Sequence, residues 1–206
     1  MFGAPAAEAT KCTRVRTAPV ASMTLTPRRR GPKIGAGMKQ TRLTVQTRTI
    51  LERLLPRLRG RVFHVTSEAR LRAILLDGVI RTNHDGALGE TYPQSAGCVG
   101  RLRQCVCLFD GRGHADDVLT SGICCYGIPG PLGHELAFLF VAEAAHARLV
   151  RPAPADFAIG TCIPHVESWF PGDLPLTLVD EVLRVHVRRP PGITLADILE
   201  ESRRQR

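Results

Sequence analysis

The chain has 206 residues, 44% apolar and 23% charged, which favours a single globular domain and excludes a disordered polymer, a coiled coil and a collagen-like chain. Its net charge of +9 is uneven, because residues 1–40 hold eight of the 28 basic residues and one of the 19 acidic ones. No uncharged apolar run approaches the roughly 20 residues of a membrane span.

Residues 1–40 mix Ala, Thr, Pro, Gly and Arg without a hydrophobic period, and Arg28-Arg29-Arg30-Gly31-Pro32-Lys33 cannot build a core. A disordered basic arm is expected there. Three origins stay open: an arm that touches phosphate backbones, an Arg-rich targeting segment, or an over-long gene start with translation from Met38. The three Lys lie in this segment and all other basic residues are Arg. Such Arg-rich usage follows codon bias, so general basicity carries little weight as a nucleic-acid signal.

Order is expected from about Leu43, in a domain of residues 41–190 followed by a solvated tail, 191–206. Ile50, Leu51, Leu54 and Leu55 share one helical face, and Pro56 should stop or bend that helix. Arg61 to Thr66 reads as a strand. Ser67 can cap the next helix, Glu68 suits its first turn, and Leu71, Ile74 and Leu75 form its apolar stripe. Gly78 then reads as a left-handed C-terminal cap, with Val79-Ile80-Arg81 resuming as a short strand.

Asn83 to Gly100 is polar and Gly-rich and reads as a loop. Cys105 to Phe109 reads as a strand closed by Asp110-Gly111, and His114 to Leu119 as a short helix. Ser121 to Gly133 is a second Gly/Pro-rich loop, and Leu136 to Val141 a strand buried on both faces. Cys162 to Trp169 should be extended, Pro171-Gly172-Asp173 a turn and Val182 to Val187 the last strand. The balance is α+β. The two long loops are candidate walls of a ligand cleft.

Seven cysteines, an odd number, with no secretory apolar segment near Met1, point to a reducing, cytoplasmic setting. Cys105-x-Cys107 and Cys124-Cys125 lack the two-to-four-residue spacing usual for zinc ligands. Alternation puts Cys105 and Cys107 on one strand face as small core residues. No metal is expected. His84, His114, His134, His146, His165 and His186 show no ligand spacing, and no dinucleotide, phosphate-loop or Gly-x-Ser-x-Gly motif is present.

The unit Val62-Phe63-His64-Val65-Thr66-Ser67, a helix, then Asp77-Gly78-Val79-Ile80 resembles the opening motif of the ADP-ribosyltransferase-like fold. That fold includes tRNA 2′-phosphotransferases, poly-ADP-ribose polymerases and DarT-type toxins. Val166-Glu167-Ser168-Trp169-Phe170-Pro171-Gly172-Asp173-Leu174-Pro175 resembles the strand that supplies the catalytic glutamate in the DarT-like branch. The resemblance spans Leu43 to Val187. It implies a split, bent β-sheet of ADP-ribosyltransferase type with short flanking helices.

It also implies NAD as substrate without a metal, a nucleic-acid or protein acceptor and, for the toxin branch, an antitoxin-type partner. Glu167 would hold the ribose 2′-OH and the acceptor, His64 would orient the ribose, and Thr66 or Ser67 would anchor nearby polar groups. Arg101 and Arg103, just before a strand, would face the diphosphate. Tyr92, Phe109 and Tyr126 are further candidates for the middle of the site, with Phe109 better suited to the core. The residue types suit the chemistry. Nicotinamide leaves as a neutral ring and needs no general acid, so one carboxylate beside an oxocarbenium-like ribose can suffice.

Two other functions compete. One is a nucleotide- or nucleic-acid-binding module of the same fold without transfer activity. The other is a cysteine or metal hydrolase using Cys105, Cys107 or Cys162. Its disadvantage is that Cys162 and His165 would point to opposite faces of an extended segment.

Overall fold

The computed structural model describes residues 37–88, 97–125 and 135–188. The expectations for residues 1–36 and 189–206, for Tyr92 and for Tyr126 lie outside the described residues. The elements in chain order are β1 (Lys39–Gln46), α1 (Ile50–Leu58), β2 (Val62–Ser67), α2 (Glu68–Asp77), β3 (Val79–Ile80), α3 (Val99–Leu102) and β4 (Cys105–Asp110). After them come α4 (Asp116–Cys125), β5 (Glu135–Val141), β6 (Glu167–Pro171), β7 (Leu174–Pro175) and β8 (Val179–Arg188).

Six strands form one sheet in the order β1-β8-β5-β2-β4-β6, and β3 pairs with β7 in a separate two-stranded ribbon. Only β1 runs parallel to its neighbour; the other pairs in both sheets are antiparallel. The class is therefore α+β with a mostly antiparallel open sheet. Among the described residues no helix is long and apolar enough to cross a membrane.

The sheet is buried on both faces. On one face Phe63, Phe109, Phe138 and Phe140 pack against Leu54 and Leu58 of α1 and Leu119 and Ile123 of α4. On the other Val62, Val106, Leu108, Leu139 and Val182 pack against Leu71 of α2. Double coverage explains the unbroken apolar run in β5, buried from Leu136 to Val141.

The β2–α2–β3 unit follows its sequence signals closely. Ser67 Oγ accepts from the Arg70 N–H at 3.4 Å, and Gly78 closes α2 at φ 73°. Elsewhere the chain departs from expectation. β1 begins at Lys39, ahead of Leu43, because its alternation is completed by β8, which lies 140 residues away in sequence at Thr41 and Glu181.

α1 runs through Pro56 to Leu58. The missing N–H and ring clash cost about 3 kcal/mol. Burying Ile50, Leu54 and Leu58 at roughly 1.5–3 kcal/mol each offsets that.

α4 starts at Asp116 rather than His114 and continues to Cys125 where a loop was expected. Leu119, Gly122 and Ile123 recur at helical spacing, and a Cβ at Gly122 would run into Val166. The glycine is a close-packing point rather than a breaker. A single helical turn, α3, likewise replaces the end of the expected Asn83–Gly100 loop. The segment before β6 is not extended from Cys162. His165 sits at φ 69°, next to Pro164, and strand geometry starts only at Glu167.

Candidate functional site

β2 and β4 pair through only two residues, Val62↔Asp110 and Phe63↔Phe109. Meanwhile β2 pairs with β5 over five, and β4 with β6 over five. Beyond Phe63 the two strands part, and a cavity of about 440 Å³ occupies the opening. His64, Val65 and Thr66 form one lip and Cys105 to Phe109 the other; α2, Arg101 and the ribbon strand β3 complete the wall. That volume lies within the roughly 300–1,000 Å³ of small-ligand pockets.

His64 bridges the opening. Its Nδ1 lies 3.0 Å from the carbonyl oxygen of Cys107. A carbonyl only accepts, so Nδ1 carries the proton. Burial lowers the ring's pKa below its ordinary value, against the opposing pull of that hydrogen bond. The imidazole is thus neutral at pH 7, and Nε2 is left with a lone pair that can accept from a hydroxyl.

Glu167 occupies the first position of β6 and is 2% exposed. Oε2 accepts from the Ile163 N–H at 2.6 Å, and Oε1 from Trp169 Nε1 at 2.6 Å and from Cys98 Sγ at 3.3 Å. Cys98 Sγ lies 3.2 Å from Cys107 Sγ. Burial, reinforced by the neighbouring Cys98, pushes the Glu167 carboxyl up to about 8 despite the Trp169 and Ile163 donors. The Cys98 hydrogen bond and then burial raise the Cys107 thiol well above its ordinary value.

The expected site residues are thereby sorted. His64, Thr66 and Arg101 line the cavity. Glu167 does not. It stands directly behind Cys98, Cys107 and Ile163, which do. Register explains the offset: Glu167 lies opposite Phe109, which lies opposite Phe63. Its side chain therefore emerges on the Phe63 face while His64 emerges on the other.

Ser67 spends its hydroxyl on the α2 cap and is not among the cavity residues. Arg103 turns away and pairs with the buried Asp156, Nε donating at 2.8 Å. Phe109 fills the core, stacked on Phe63 with ring centroids 5.3 Å apart.

Two residues that the sequence did not single out as a pair are central here, Cys98 and Cys107. The alternation that puts Cys105, Cys107 and Phe109 on one face also faces them towards Glu167 and Trp169 of β6. Cys98 has no such signal. It arrives through a bridge to Thr161, with the Val99 N–H donating to the Thr161 carbonyl at 3.1 Å. Gly100 admits the cluster, since a Cβ there would lie 2.5 Å from the Trp169 ring and 2.7 Å from Cys107 Sγ.

A pocket with a neutral imidazole on its lip, an arginine on its wall and a carboxyl one layer behind can bind a polar, hydroxyl-bearing ligand. No family model, curated protein or solved structure matches the chain.

Proposed function

We propose that the protein is an NAD-dependent ADP-ribosyltransferase of the DarT-like kind, acting on a nucleic-acid or protein acceptor. One observation carries the proposal: the two motif residues converge on Cys107. His64 holds its carbonyl from one side of β4, and Glu167 lies in contact range of its thiol from the other. β2, β4 and β6 are adjacent strands, so the first and last motifs flank a single middle strand.

In this reading the cavity takes the nicotinamide ribose. His64 Nε2 accepts from a ribose hydroxyl, Thr66 adds a second polar contact, and Arg101 supplies positive charge for the diphosphate. Nicotinamide departs with the electron pair of its bond to C1′, the acceptor nucleophile forms the new bond there, and its proton passes to the Glu167 carboxylate. The Glu167 carboxyl reaches the ribose once Cys98, Cys107 and Ile163, which separate it from the cavity, shift on binding. The cationic sugar then favours the ionised carboxylate, which stabilises it more than it stabilises bound NAD.

The test is nicotinamide release from NAD by the full chain, by Glu167→Gln and by His64→Ala. A fall of about 100-fold or more for Glu167→Gln is expected from loss of the electrostatic partner. Equal release by wild type and Glu167→Gln removes the carboxylate from the mechanism.

The enclosed position of Glu167 favours one alternative, a nucleotide-binding module of this architecture without transfer. It predicts NAD binding that Glu167→Gln leaves intact and no release by either protein.

A further inference from the structure

Three potential ligand atoms meet behind the cavity wall. Sγ of Cys98, Sγ of Cys107 and a carboxylate oxygen of Glu167 all lie within 4.8 Å of one another. They come from three separate segments: the start of α3, the middle of β4 and the start of β6. Two thiols and a carboxyl gathered in a buried place cannot ionise there without a counter-charge. A divalent cation that replaces their protons cancels two of the three negative charges, and the Trp169 and Ile163 N–H groups offset the third.

The spacing is close to what such an ion needs. A tetrahedral centre with metal–sulfur bonds of roughly 2.3 Å holds two sulfurs about 3.8 Å apart, and a sulfur and an oxygen about 3.5 Å apart. The Cys98–Cys107 separation is 3.2 Å and the Cys98–Glu167 separation is 3.3 Å. Both are within about 0.6 Å of those values.

The surroundings are also those of a ligand set. The Glu167 carboxylate is oriented by Trp169 Nε1 and by the Ile163 N–H, the kind of outer donors that hold a ligating carboxylate and offset its charge. Cys98 and Cys107 line the cavity, so a fourth position would open towards it. Paired thiolates with one carboxylate select a borderline or soft divalent ion over magnesium or calcium.

We propose that Cys98, Cys107 and Glu167 form a binding site for one zinc-type divalent cation, with its fourth coordination position open to the cavity. This rests on the cluster's geometry and not on the transfer reaction. If the transfer reading also holds, ion and substrate compete for the same carboxylate.

The experiment is a titration of the reduced full chain with Co²⁺, followed by displacement with Zn²⁺. The expected result is one equivalent bound, with a thiolate-to-cobalt charge-transfer band in the near ultraviolet that Zn²⁺ abolishes. Cys98→Ser and Cys107→Ser each weaken the band, the double variant loses it, Glu167→Gln weakens binding about tenfold or more, and Cys124→Ser behaves as wild type. Native mass spectrometry of the unaltered, reduced chain gives an independent reading: one Zn²⁺ is retained. A folded wild-type chain without the band, a band undiminished by either Cys98→Ser or Cys107→Ser, or a chain that retains no Zn²⁺ overturns the proposal.

Discussion

Trp169 donates its indole N–H to Oε1 of Glu167 at 2.6 Å from two positions further along the same strand. The period of two that puts both side chains on one face makes this contact local to β6, yet the acceptor is fully enclosed. Replacing Trp169 by Phe keeps most of the ring volume and removes the donor. A buried acceptor deprived of a partner costs about 1–3 kcal/mol. The urea midpoint, followed by far-ultraviolet circular dichroism because Trp169 is the single tryptophan, should fall accordingly. An unchanged midpoint would mean that the carboxyl finds another donor.

Gly100 is where α3 meets the indole. A Cβ at 2.5 Å from the Trp169 ring and 2.7 Å from the Cys107 sulfur has to displace one of them. Gly100→Ala should destabilise the fold by about 1–3 kcal/mol through overpacking. It should also shift the Trp169 emission spectrum, because the ring lies against the new methyl whichever group moves. A stable variant with wild-type emission would place the strain elsewhere.

Asp110 has a different task from Glu167, although both are buried. Burial alone would raise its carboxyl, but Arg112, through side chain and backbone, and Arg151 outweigh it and bring it down to about 2. Its folded value lies below its ordinary one, so its contribution is present above about pH 4 and is lost as pH falls towards about 2. At about 1.4 kcal/mol per unit, reduced because both arginines are partly exposed, that is about 1–2 kcal/mol. Asp110→Asn should lower stability by that amount at about pH 7, and the gap to wild type should close at about pH 2. Urea midpoints of both proteins across the acid range measure it.

Local signals carried the β2–α2–β3 unit almost residue for residue, because Ser67 and Gly78 act on their own neighbours. They carried β5 too, whose apolar run has no alternative use. What they missed is non-local. Lys39 to Gln46 carries only a weak alternation, in Leu43 and Val45, and the partner that makes it a strand is β8. The site divides in the same way. His64, Thr66 and Arg101, singled out by the family resemblance, line the cavity. The placing of Glu167 behind the wall follows from the β4–β6 register, and Cys98 enters through a bridge to Thr161, neither of which is written in adjacent residues.

Pro56 is exposed on α1 while Leu54 and Leu58 on either side are buried. The packing face survives its replacement, and an N–H is restored to the helix interior. Pro56→Ala should raise stability by about 1–2 kcal/mol, the helix gain less the added freedom of the unfolded chain. Thermal melts of the two proteins decide it; a lower melting temperature would show that the proline fixes a bend that the packing requires.

Because β8 lies between β1 and β5, the first of the described strands to leave the ribosome has no described neighbour in the sheet until the last of them emerges. The central antiparallel strands can assemble during synthesis, whereas β1 must wait for nearly the whole domain, a closing step of high contact order. A chain cut short before Val179 would leave the flank of β5 and all of β1 without hydrogen-bonding partners. Such a product presents the open strand edges that invite aggregation.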